Sequence, residues 1–135
     1  LIQYQSSRPK ETAEAAWREL LSLSLKRGMP SYLGVTKRHR PDPFLLTHAT
    51  DGFSLALDFK VTDGTRAKMS AMLQEFDKIV LDHGGRFYFA KNSETTAQTA
   101  LTFYGEEAVA KFKKLKKRCD PNGLLESDLF RRIFG

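Results

Sequence analysis

Apolar positions along this chain change their period in a definite order. Near the start, Ile2 and Tyr4 alternate with Gln3 and Gln5, the two-residue repeat of a strand over residues 1–7. After Pro9, the residues Ala13, Ala16, Trp17, Leu20 and Leu21 recur at helical spacing. Thr12 stands where a cap belongs, and Glu11 and Glu14 suit the positive end of that helix. Gly28 and Pro30 end it. Residues 31–37 read as a second strand and 53–61 as a third. In the third, Phe53, Leu55, Leu57 and Phe59 alternate with Ser54, Ala56, Asp58 and Lys60, as in a sheet with one buried face. Between these strands, residues 38–52 carry Pro41 and Pro43; so long a connection in a compact domain is commonly functional or mobile.

Asp63-Gly64 marks a turn, and a second helix follows with Met69, Met72, Leu73, Phe76, Ile79 and Val80 on one face. Gly84-Gly85 stops it, and residues 86–90 predict a fourth strand. Further helices are expected from Thr95 or Thr96 to Gly105 and over about 106–119, with a last helical turn near Ser127-Asp128. The order β-α-β-β-α-β followed by helices is that of an α+β, ferredoxin-like antiparallel sheet. Each helix has one apolar stripe to bury, so both belong on the same sheet face. Ile2, Tyr4, Leu55, Leu57, Phe87 and Phe89 would line it. The opposite face would show Gln3, Gln5, Ser54, Ala56, Asp58, Arg86 and Tyr88, either solvated or docked against something.

A length of 135 residues with 41% hydrophobic content fits one domain over 1–135 with one core. One cysteine excludes an internal disulfide framework and a cysteine-rich zinc site. No apolar run approaches a membrane helix of ~18 residues. The opening Leu1-Ile2-Gln3-Tyr4-Gln5 has no initiator Met and no signal-peptide pattern, which reads as a chain cut from a longer or processed polypeptide. A cytoplasmic location is the expectation.

The net charge of +6 raises nucleic acid as a partner, but Lys111, Lys113, Lys114, Lys116, Lys117 and Arg118 concentrate much of it near one helix C-terminus. There it complements the helix dipole, and a solvated charged face outweighs nucleic-acid binding. Cys119 follows Val109, Phe112 and Leu115 on that helix's apolar stripe, so a buried thiol is expected. His39, His48 and His83 lack metal-ligand spacing, and the chain has no Walker loop, Rossmann fingerprint or nucleophile elbow. As an RNA-recognition module the sheet is poorly equipped, since only Tyr88 would face outward as a stacking platform. A non-catalytic ferredoxin-like module binding RNA or a small regulator remains the rival reading. A scaffold that keeps the fold without the chemistry is a third.

The stretch Gly84-Gly85-Arg86-Phe87-Tyr88-Phe89-Ala90-Lys91-Asn92-Ser93 places a lysine at a strand end beside small polar residues. Such a lysine is either solvated, or a fixed positive charge, or a participant in proton transfer, and spacing does not choose. Read with Asp120-Pro121 and Ser127-Asp128 in the tail, this stretch resembles the C-terminal part of FAD-linked oxidoreductases of the vanillyl-alcohol oxidase type. Within them it is most similar to the decaprenylphosphoryl-ribose oxidase branch, with aldonolactone and alditol oxidases as more distant relatives. The resemblance implies a substrate-binding domain whose antiparallel sheet covers the flavin ring, with FAD held mainly by a separate N-terminal domain of the same polypeptide. It implies hydride transfer from a carbinol of a sugar or polyol-like substrate to flavin, and an isolated fragment without activity. Lys91 matches the family's lysine near flavin and substrate, and Tyr88 its nearby tyrosine. Gln3, Gln5, Lys37 and Ser54 match positions around the substrate. Lys91 does not share the strand parity of Tyr88, so it is expected past the regular strand or after a bulge. Ser54 stands where that branch has Asn, and Ala56 where it has Cys, so the resemblance carries no substrate narrower than a sugar or polyol.

Overall fold

A computed structural model describes residues 1–135. Its strands are β1 (Ile2–Pro9), β2 (Leu33–His39), β3 (Gly52–Phe59) and β4 (Arg86–Phe87). Its helices are α1 (Ala13–Lys26), α2 (Arg66–Asp82), α3 (Ala97–Tyr104), α4 (Glu106–Cys119) and α5 (Asp128–Phe134). The sheet is antiparallel in the order β2-β3-β1-β4, which is the ferredoxin-like arrangement of an α+β fold. Helices α1 and α2 lie against each other and against the central strands β3 and β1.

The main core takes one parity of the strands. Tyr4, Leu55, Leu57, Phe59 and Phe87 join Leu20 of α1 and Met69, Met72, Leu73, Phe76 and Val80 of α2 in the main core. Tyr4 packs edge-on to Phe76, with ring centroids 5.2 Å apart. A second, smaller core forms where Ala100 of α3 meets Ile133 and Phe134 of α5. Phe89 and Phe103 touch both cores, so the C-terminal helices extend the fold. The turn after α2 needs both of its glycines. Gly84 sits at φ +66°, and a Cβ on Gly85 would lie 2.8 Å from the Ser7 carbonyl oxygen.

Five expectations change. The fourth strand does not run to residue 90: it ends at Phe87, because the chain turns over residues 88–91. The tail forms a seven-residue helix, capped by the Ser127 hydroxyl, which accepts from the Phe130 amide. Cys119 is exposed, not buried. The stripe of α4 is used only near its first half, where Val109 and Phe112 reach the smaller core; Leu115 is already exposed. Thr12 occupies the cap position of α1, but its hydroxyl donates to the His83 carbonyl at 2.8 Å, tying the two helices' ends together.

Candidate functional site

The helix-free sheet face is built in rows of cross-strand neighbours, which share a face by the pleat. Lys37, Ser54 and Ser7 form one row, and Val35, Ala56 and Gln5 the next. Leu33, Asp58 and Gln3 form the third, in which Gln3 Nε2 donates to Asp58 Oδ1 at 2.6 Å. This face is not uniformly open. Gln5, Ser54 and Ala56 are buried, while Lys37 and Val35 on the edge strand are exposed. Part of the cover is the chain's own connection between β2 and β3.

That connection is ordered by its side chains. Asp42 accepts from the Phe44 amide at 3.0 Å and from the Thr47 hydroxyl at 2.7 Å, which curls the segment on itself. It is then pinned from the sheet: Ser7 Oγ and Thr50 Oγ1 lie 2.9 Å apart, and Arg86 donates to the Thr47 carbonyl at 3.3 Å. The result is that His48 is delivered over the strands.

Here the fold gathers residues that are far apart in sequence. His39 Nε2 and Ser54 Oγ share a hydrogen bond at 2.8 Å across β2 and β3. The His39 and His48 rings meet edge-on, with centroids 5.6 Å apart. His48 in turn lies 4.5 Å from the Tyr88 ring. Lys37 is close enough to both imidazoles to depress their pKa values. For His39 the larger cause is burial, followed by Lys37 and Arg38. For His48 it is again burial, followed by His39, with Asp42 pulling the other way and Lys37 adding to the fall. The cluster therefore offers neutral imidazoles, a buried hydroxyl and a phenol beside an exposed ammonium.

Of the residues singled out in the sequence, Lys37, Ser54 and Tyr88 come together through the two histidines. Gln5 adjoins Tyr88, whose amide donates to the Gln5 carbonyl at 3.1 Å. Gln3 lies one row further along, held by Asp58. Lys91 is exposed and stands past the regular strand, closing a turn in which its amide donates to the Tyr88 carbonyl at 2.9 Å. Its departure from strand parity has that turn as its cause. In the sequence, His39 and His48 show only the absence of metal-ligand spacing. The signal that could have found His39 is parity: it follows Lys37 by two positions, on the same face, once β2 is seen to reach His39. His48 has no such signal, because its loop is placed by tertiary hydrogen bonds. No group of three or more His, Cys, Asp or Glu side chains has the arrangement of a metal site.

The basic face of α4 is separate from this cluster. Lys113, Lys116 and Lys117 line a shallow cleft with Asp120, Glu126 and Phe130, where Lys116 pairs with Asp120 and Lys117 donates to the Pro121 carbonyl at 2.7 Å. No helix is long and apolar enough to cross a membrane.

Comparison with known proteins adds to this geometry. Residues 7–133 match the sequence model of a family described as D-arabinono-1,4-lactone oxidase. The chain is also 30% identical over 133 residues to decaprenylphosphoryl-beta-D-ribose oxidase of Mycolicibacterium smegmatis. That alignment takes in 98% of this chain and 27% of the relative, so the chain spans about a quarter of the relative's length.

Proposed function

The chain belongs to the D-arabinono-1,4-lactone oxidase family, and from that premise we propose that it is the substrate-side portion of an FAD-dependent oxidoreductase. Its substrate is a carbinol of a sugar or polyol-like molecule, and a separate domain of the same polypeptide holds most of the FAD. Residues 1–135 alone would then be inactive. The observation that carries this reading is the convergence of Lys37, Ser54 and Tyr88 with His39 and His48 on the helix-free sheet face, with the Lys91 turn immediately beyond Tyr88.

The donor set suits such a cofactor and substrate. Hydroxyl, phenol, amide and imidazole groups can hold a substrate rich in hydroxyls, and lysine supplies positive charge where a flavin ring gains electrons. FAD, when bound, would supply the hydride acceptor. The chain's own residues do the rest. Gln3, Gln5, Ser54 and Tyr88 orient the substrate, with Lys37 at the edge of the face. Lys91 stabilises negative charge near the flavin or assists removal of the carbinol proton. His39 fixes the Ser54 hydroxyl, and His48 packs on Tyr88 to hold the phenol in place.

The test is a visible absorption spectrum of the full-length polypeptide that carries this chain, with Lys91→Ala beside it. Flavin bands that a sugar or polyol bleaches in the parent, and bleaches far more slowly in Lys91→Ala, support the reading. A full-length protein without flavin overturns it.

A further inference from the structure

One backbone donor in this region leaves its expected partner. Along the β1–β4 ladder, Ser7 pairs with Arg86 and Ser6 with Phe87, so Gln5 stands opposite Tyr88. The Tyr88 amide donates to the Gln5 carbonyl at 3.1 Å, and in an antiparallel pair of this kind the Gln5 amide should return the bond to the Tyr88 carbonyl. It does not. The Gln5 amide donates to Asn92 Oδ1 at 2.8 Å, and the Tyr88 carbonyl takes the Lys91 amide at 2.9 Å.

The Asn92 side chain thus stands in for a strand residue. It lets the ladder end at Tyr88 without leaving the Gln5 amide buried and unpaired, which a protein interior penalises. The carbonyl it frees is the one that closes the turn carrying Lys91. Asn92 is itself 3% exposed and held from the other side, where Arg132 of α5 donates to its carbonyl at 3.3 Å. Its Nδ2 is buried with no partner, so only the oxygen of the side chain is used.

We propose that Asn92 is the positioning residue for Lys91: its side-chain oxygen, bonded to the Gln5 amide, sets the 88–91 turn and thereby where the lysine stands relative to Tyr88. This rests on the reading of Lys91 given above. Asn92 does not touch substrate; it acts through the backbone of the turn.

The experiment uses the full-length polypeptide with Asn92→Ala, Asn92→Asp and Lys91→Ala. Asn92→Ser, too short to reach the Gln5 amide, replaces Asn92→Ala should that variant not fold. Amide hydrogen exchange of peptides covering residues 1–8 and 88–95 reads the ladder independently of activity, and kcat and KM are followed with a sugar or polyol substrate. Asn92→Ala is expected to raise exchange in both peptides and to lower kcat by about tenfold or more at little change in KM, since misplacing a reacting group slows the step more than it weakens binding. Asn92→Asp keeps the acceptor oxygen and is expected to restore both. Unchanged exchange in Asn92→Ala overturns the proposal. So does Asn92→Ala with a parental kcat while Lys91→Ala is slow. If Lys91→Ala is itself indifferent, the reading of Lys91 falls and takes this proposal with it.

Discussion

The Tyr4 hydroxyl donates to Asp77 Oδ1 at 2.8 Å, joining the central strand β1 to helix α2 inside the main core. Burial raises the Asp77 carboxyl to about 6, against the pull of the Tyr4 bond, and the charge of Glu94 adds to the rise. Burial and Asp77 together push the Tyr4 phenol well above its usual range. From about 3.8, the ordinary value, up to about 6, the folded chain binds more protons than the unfolded one. Stability is therefore greatest below that window and falls as pH rises through it, by on the order of 3 kcal/mol at most. Asp77→Asn keeps an oxygen for Tyr4 and carries no charge. Urea unfolding at about pH 5 and about pH 7.5 should show the parent losing stability between the two relative to Asp77→Asn.

Gly84 and Gly85 make adjacent but different demands. At Gly84 the demand is conformational, since φ is +66° with only the Pro9 ring near a Cβ. Gly84→Ala should cost about 1–2 kcal/mol. At Gly85 it is space: a Cβ would lie 2.6 Å from Val80 Cγ1 and 2.7 Å from the Val80 carbonyl oxygen. Gly85→Ala must push β4 off β1 or α2 off the sheet, at a cost of roughly 2–4 kcal/mol. Thermal unfolding of the two variants should separate them in that order.

Asp120 closes the connection from α4 to α5. Its carboxylate accepts from the Leu124 and Leu125 amides, both at 2.9 Å, and pairs with Lys116. The Lys116 bond, then the Leu125 amide, hold the carboxyl down at about 2. A lowered carboxyl contributes stability that is present above its ordinary value of 3.8 and is lost as pH falls toward 2. Asp120→Asn should remove that acid-side slope and increase proteolytic cutting near Pro121 to Glu126.

Much of the fold was legible because its periods are clean. The alternation of Leu55, Leu57 and Phe59, and the stripe from Met69 to Val80, mark the residues of the main core, although Ser54 and Ala56 on the other face of β3 are buried as well. Helix α4 misled at Cys119, because a stripe shows which residues could be buried but not where the neighbouring helices stop. The fourth strand misled at its end for a sharper reason. Nothing in the local pattern of Phe87, Tyr88 and Phe89 shows that the distant Gln5 amide will pair with a side chain, Asn92, in place of the strand. The face that carries the candidate site was half legible: parity placed Gln3, Gln5, Ser54 and Tyr88 on one side of the sheet. It missed His39, which lies past the expected end of β2, and His48, which a loop brings in.

The two histidines should give the candidate site its own pH dependence. His39 and His48 are both held below the ordinary imidazole value, burial first, and Lys37 contributes to each. At neutral pH the face around Tyr88 then carries the charge of Lys37 but none from the imidazoles. On acidification two further positive charges appear within contact of Ser54 and Tyr88, and the His39 bond to Ser54 is limited to donation from the ring. For a neutral, hydroxyl-rich substrate this removes an acceptor from the hydrogen-bond network, so KM should rise as pH falls through the imidazole range. Lys37→Met takes away a repelling charge, which should raise both imidazole pKa values and move that rise in KM to higher pH. Titrating the histidine Cε1 protons by NMR in the parent and in Lys37→Met checks the first step, and KM against pH checks the second. Imidazole values that stay put in Lys37→Met would mean that Lys37 does not act on this cluster, and the pH dependence would then have to come from elsewhere.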